Sequence, residues 1–248
     1  SEEEEPLCAA WTESLPPDLL GTLNLSPRLR KRQEVIHELI VSEASHVRWL
    51  KVLWHVFARP LQRARLLPPE ETAELFPNLP AVRDRHGRLL QDLKALRNTL
   101  NPIPIGPLAA VVSKTLSAPG FASCLAKFCK GQRRALERLR ERRRKNKELH
   151  QFLLTREQMP QCGRLQLRDL LAFVWQRLTK YQLLLESLVK SVVPSDPEEE
   201  TAQLGAALET AKHVLHSVDT AIREKENEHR LKSIQSKLEV RSAGAEAE

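Results

Sequence analysis

The residue whose chemistry stands out in this chain is Glu43. From Val35 to Phe57 the sequence reads VIHELIVSEASHVRWLKVLWHVF. Ile36, Ile40, Val47, Leu50, Trp54 and Phe57 recur at alternating spacings of four and three, or at their sum, as one apolar stripe of a helix. The missing member of that stripe is Glu43. An ionised carboxylate on an apolar seam is costly unless something pairs with it. Either a partner inside the chain satisfies Glu43, or the stripe opens there and a second protein does.

Other reactive groupings are sparse. No GxxxxGK[ST], GxGxxG, HExxH or GxSxG is present, so the sequence offers no covalent catalytic centre, cofactor motif or metal motif. His213 and His216 lie three apart with no third ligand apparent. Cys8, Cys124, Cys129 and Cys162 have neither CxxC spacing nor nearby histidines and read as reduced thiols. The densest charge is RRALERLRERRRKNK, Arg133 to Lys147. Glu137 and Glu141 interleave its arginines, and it lacks aromatic residues for base stacking. It therefore reads as a solvated basic face, with no specific nucleic-acid role.

The elements that must position these groups are helical. The 248 residues include only 8 Gly and 1 Tyr, and 41% are hydrophobic; helix formers dominate and strand alternation is rare. The spacing predicts long helices over 28–65, 165–192 and 198–235. Leu167, Leu171, Val174, Leu178, Tyr181, Leu185 and Leu188 make an unbroken stripe in the second. Leu204, Leu208, Ala211, Leu215, Val218 and Ile222 do so in the third, after which the sequence turns polar and the helix is expected to leave the bundle. Pro77 and Pro80 are read as breaking 66–98 into two short helices. A further helix is expected over 120–147. Such stripes must be buried against one another, which gives an all-α, elongated bundle. Residues 1–27 are expected to be a partly disordered arm, 28–238 the folded domain, and 239–248 a disordered tail. The net charge of +7 suits acidic partners or an anionic membrane face. No apolar signal segment opens the chain, and the expectation is a cytoplasmic protein recruited to the plasma membrane.

Two segments carry a specific resemblance. RQEVIHELIVSEASHVRWLKVL, Arg32 to Leu53, and LQLRDLLAFVWQRLTKYQLLLESL, Leu165 to Leu188, resemble the first and third conserved regions of the Dbl-homology (DH) domain of Rho-family guanine nucleotide exchange factors. RQEVI, ELxxSE and HVRxLKVL together resemble most closely the RGS-containing group, as does the lead-in WTESLPPDLLGTL, and FCKGQRRALERLR resembles the region between the two conserved regions. The resemblance implies a helical bundle of the DH type that binds a Rho GTPase, RhoA in preference, and speeds GDP release without covalent chemistry or a cofactor. It implies a pleckstrin-homology (PH) domain to the C-terminal side. Residue by residue, it assigns Glu43 to switch I, and Lys180, Gln176 and Asp219 to switch II, with Leu183 facing the same partner. Arg177 either braces the bundle or touches the partner. The sequence departs from the family pattern at Asp219, where Asn is common, and at Gln182, where Pro is common. Those departures keep a second class open: a DH-fold interaction scaffold with little exchange activity.

Overall fold

The computed structural model describes residues 7–247, and the described residues form helices joined by short turns, with no strand among them. Residues 1–6, which hold most of the expected acidic arm, lie outside the described residues. The elements in chain order are α1 (Pro17–Leu23), α2 (Pro27–Val52), α3 (Arg59–Ala64), α4 (Pro69–Leu75), α5 (Leu79–Thr99), α6 (Ile105–Leu116), α7 (Phe121–Cys129), α8 (Gln132–Lys145), α9 (Lys147–Glu157), α10 (Leu167–Lys190) and α11 (Glu198–Glu246).

Local sequence explains the boundaries. Ser26 caps α2, its hydroxyl accepting from Leu29 N at 3.3 Å, and Pro27 follows at the first helical position. A π-helical stretch, Leu53–Ala58, joins α2 to α3, with Arg59 N–H reaching back five residues to the carbonyl of Trp54. Pro60, next in line, has no N–H to keep the ordinary ladder, and the widened turn absorbs the defect. Gln166 and Asp169 close a reciprocal capping box at the start of α10. Glu198–Glu200 occupy the first turn of α11, where the helix dipole favours carboxylates.

Three boundaries differ from the sequence expectation. Pro80 does not break a helix; it sits in the first turn of α5, which then runs 21 residues. The helix expected over 120–147 divides at Lys130–Gly131 into α7 and α8. The tail expected to be disordered from 239 continues α11 to Glu246, since RSAGAEAE is rich in helix formers. At the other end, the arm is anchored: Trp11 is buried, and its indole Nε1–H donates to Asn101 Oδ1 at 3.0 Å.

Packing follows the stripes. α10 lies in the middle, packed on α2 and α11, and α11 also covers α6 and α7. The seven stripe residues of α10 are all buried, as are Ile36, Ile40, Val47, Leu50 and Phe57 of the α2 region. Gln33 of α2 ties the α5–α6 connection, its amide bonding both the N–H (3.0 Å) and the carbonyl (2.8 Å) of Ile103. Past Ile222, α11 carries no buried residue and projects from the bundle.

Candidate functional site

Glu43 lies wholly inside the bundle, 0% exposed. Its carboxylate accepts from Arg177 Nε at 2.7 Å and from the Tyr181 hydroxyl at 2.7 Å, and lies 2.9 Å from His86 Nδ1. Burial would raise its pKa, but the charges of Arg177 and His86, with the His86 hydrogen bond, override that. The carboxyl stays ionised well below the usual carboxylate range. Burial, followed by the Glu43 charge, pushes the Tyr181 phenol well above its ordinary value. His46 stacks edge-on against His86, ring centroids 4.3 Å apart, and burial together with the His86 charge holds it neutral. Glu43 is therefore satisfied by side chains of its own chain. The internal-partner reading of the apolar stripe is the one realised here.

Arg177 belongs to the same buried group. Its guanidinium bonds Glu43, the Ser42 hydroxyl at 2.6 Å and the Leu39 carbonyl at 3.1 Å, three successive features of α2. It braces α10 against α2 and is 5% exposed.

One turn beyond Arg177 the same two helices reach solvent. Lys180 Nζ on α10 pairs with Glu38 Oε1 on α2 at 2.7 Å, with side chains 40% and 51% exposed. Glu38 is the first acid of ELxxSE and Glu43 the second. Five residues separate them, so they project about 140° apart around the helix. Only the second falls on the buried stripe. Glu38 is thus the solvent-facing acid of this motif and Glu43 the internal one.

The remaining residues assemble along this surface. Gln176, Lys180 and Leu183 repeat at four and three residues on one side of α10, and Leu183 is 53% exposed. Asp219 on α11 is half-buried, and its Oδ1 accepts from Trp175 Nε1 at 2.6 Å. Trp175, which the family resemblance does not assign, joins the site through this bond. Its signal was an indole lying off the α10 stripe, between Val174 and Leu178. Gln182, where the family commonly has Pro, donates to Glu186 at 2.9 Å, and α10 continues through it. The surface so built holds one ion pair, one exposed leucine and an indole–carboxylate pair across three helices. It suits protein recognition.

The RhoGEF domain family model matches residues 35–219. The chain belongs to the RhoGEF domain family. It is 37% identical over 245 residues to Rho guanine nucleotide exchange factor 11 of Rattus norvegicus, covering 96% of this chain and 15% of that protein. To human Rho guanine nucleotide exchange factor 1 it is 36% identical over 241 residues, covering 96% of this chain and 26% of that protein. These relatives form the RGS-containing group that the sequence motifs resemble. Among solved structures, the ternary complex of human RhoA, its inhibitor and the DH/PH domain of human ARHGEF11 is similar at a TM-score of 0.85 and 36% identity, over 92% of this chain and 63% of that one. The DH/PH domains of p115-RhoGEF are similar at 0.83 and 34%, over 94% and 62%. The RhoGEF-family bundle is thus all-α and of the DH type, and it spans about a quarter or less of the curated relatives named above.

Proposed function

We propose that this RhoGEF domain binds a Rho-family GTPase, RhoA in preference, and accelerates release of its GDP. The observation that carries this reading is the Glu38–Lys180 pair, exposed at the α2–α10 junction of a domain whose solved relatives include complexes with RhoA. No bond-making step is required. The domain holds the nucleotide-free GTPase more tightly than the loaded form, and that difference lowers the barrier to release. Glu38 takes the switch I role that the resemblance had placed on Glu43. Lys180, Gln176, Leu183 and Asp219 meet switch II, with Trp175 orienting the Asp219 carboxylate. Glu43 and Arg177 act behind them, fixing the spacing between α2 and α10.

The domain acts in the cytoplasm at the plasma membrane, a reading supported by its net charge of +7. In the longer protein a PH domain follows it, as in the DH/PH fragments it resembles.

The test loads RhoA with fluorescent GDP and follows its release on adding the 248-residue chain at micromolar concentration. Acceleration is expected. A folded sample that leaves release at the intrinsic rate overturns the proposal, and binding to nucleotide-free RhoA without acceleration would leave the scaffold reading in its place.

A further inference from the structure

Beyond Asp219, α11 runs past the bundle alongside α8, and the two helices enclose a cleft of about 680 Å³. Lys127, Lys130 and Arg134 line one wall across the α7–α8 junction, at spacings of three and four residues. Arg230 and Lys237 line the other, two helical turns apart. All five are exposed, and among the described residues none stands in a close salt bridge with a carboxylate; Lys130 feels the charge of Glu228, which Lys225 and Lys232 pair directly. The acids in the same cleft are already engaged. Glu74 pairs with Arg138 at 2.7 Å, while Glu226 and Glu137 share Arg133 at 3.4 and 3.6 Å. Arg134 is held in place by a 2.7 Å contact with His229 Nδ1, to which it donates. Gly131 opens the wall between them by presenting no side chain.

Five cations outside any close salt bridge around one concavity repel each other, and an anion that enters relieves that repulsion. The cleft volume falls in the range of small-ligand sites and is short for a nucleic-acid track. It also lacks aromatic side chains on which bases would stack. Two facing cationic rows suit a ring bearing several phosphates, which lysine and arginine bind through charge-assisted hydrogen bonds. Ile234 lines the cleft, and Leu231 and Leu238, one turn to either side on α11, are 67% and 57% exposed. An apolar stripe beside a cationic cleft is the pattern a lipid surface accepts.

We propose that the cleft between α8 and the distal part of α11 binds the multiply phosphorylated inositol headgroup of a membrane lipid. The inference does not rest on exchange activity. It is tested by co-sedimenting the 248-residue chain with phosphatidylcholine vesicles carrying phosphatidylinositol bisphosphate. Vesicles brought to the same surface charge with phosphatidylserine serve as a comparison, and inositol trisphosphate in solution is titrated by calorimetry. Tighter binding to the inositol-lipid vesicles is expected. The double variant Lys130→Glu/Arg230→Glu should weaken it by about tenfold or more. Arg140→Glu/Lys147→Glu, with the same charge change outside the cleft, should retain most of it. Equal binding to both vesicle types, equal loss in both double variants, or no binding overturns the proposal. A soluble headgroup bound as tightly as the vesicles overturns the lipid assignment. GDP release from RhoA in solution should be the same for Lys130→Glu/Arg230→Glu as for the parent chain, so the binding result reads independently of the exchange result.

Discussion

Glu38→Ala and Lys180→Ala should each lower the rate of GDP release by about tenfold or more. The pair is half exposed, so each change should move stability by less than about 1 kcal/mol. Stopped-flow release with thermal melts on the same samples separates the two effects. Glu43→Ala is the opposite case. It leaves the Arg177 guanidinium buried without its counter-charge, and a loss of about 3–5 kcal/mol is expected in denaturant titration. If Glu43→Ala melts like the parent chain but fails in exchange, Glu43 meets the GTPase after all. The buried histidine adds a pH dependence. His46 is held neutral in the fold by burial and by His86, whereas an unfolded histidine takes up a proton near pH 6.5. The unfolded state therefore binds more protons below that pH, and stability should fall as pH drops from about 7 to 5, by up to ~1.4 kcal/mol per unit. His46→Leu should flatten that slope in melts across the range. Glu43, with its depressed pKa, contributes at every pH above about 4.3 and adds a further loss only in stronger acid.

At the scale of elements, the helices were legible wherever an apolar stripe marked them. The α10 stripe from Leu167 to Leu188 is buried at every position, because a helix packed on two neighbours must bury its apolar face. Prolines were harder to read. Pro80 reads as a breaker in the sequence, yet within the first turn of a helix its missing N–H would have no partner in any case, and it is the second residue of α5. The distal part of α11 is a third kind of case. Its sequence is helical by propensity, and no core holds it, which is why the polar run past Ile222 predicted its departure but not its length. Amide hydrogen exchange should separate the two parts: slow through Val218, fast from Leu231 to Glu246. Uniform protection along the whole helix would show that the distal part is packed against something.

For the whole molecule, the buried side chains from α2 to α11 form one continuous core, so the bundle should unfold in a single cooperative transition. Leu171→Ala, at its centre in α10, should lower stability by about 2–5 kcal/mol and shift the entire transition rather than split it; two resolved steps in calorimetry would contradict that. Composition and periodicity by themselves determined the helical class, the three long helices and the anomaly at Glu43. The motif residues determined the family. They could not choose between the two acids of ELxxSE, because a carboxylate on an apolar stripe is satisfied equally well by an internal arginine or by a second protein. That choice rested on Arg177, 134 residues away, arriving 2.7 Å from Glu43. The same packing brought Lys180 to Glu38 and Trp175 to Asp219, and laid α8 beside α11 to form the basic cleft. Helical periodicity is a local property and is written along the chain. Which charges meet across helices is set by how those helices pack, and only the tertiary structure decides it.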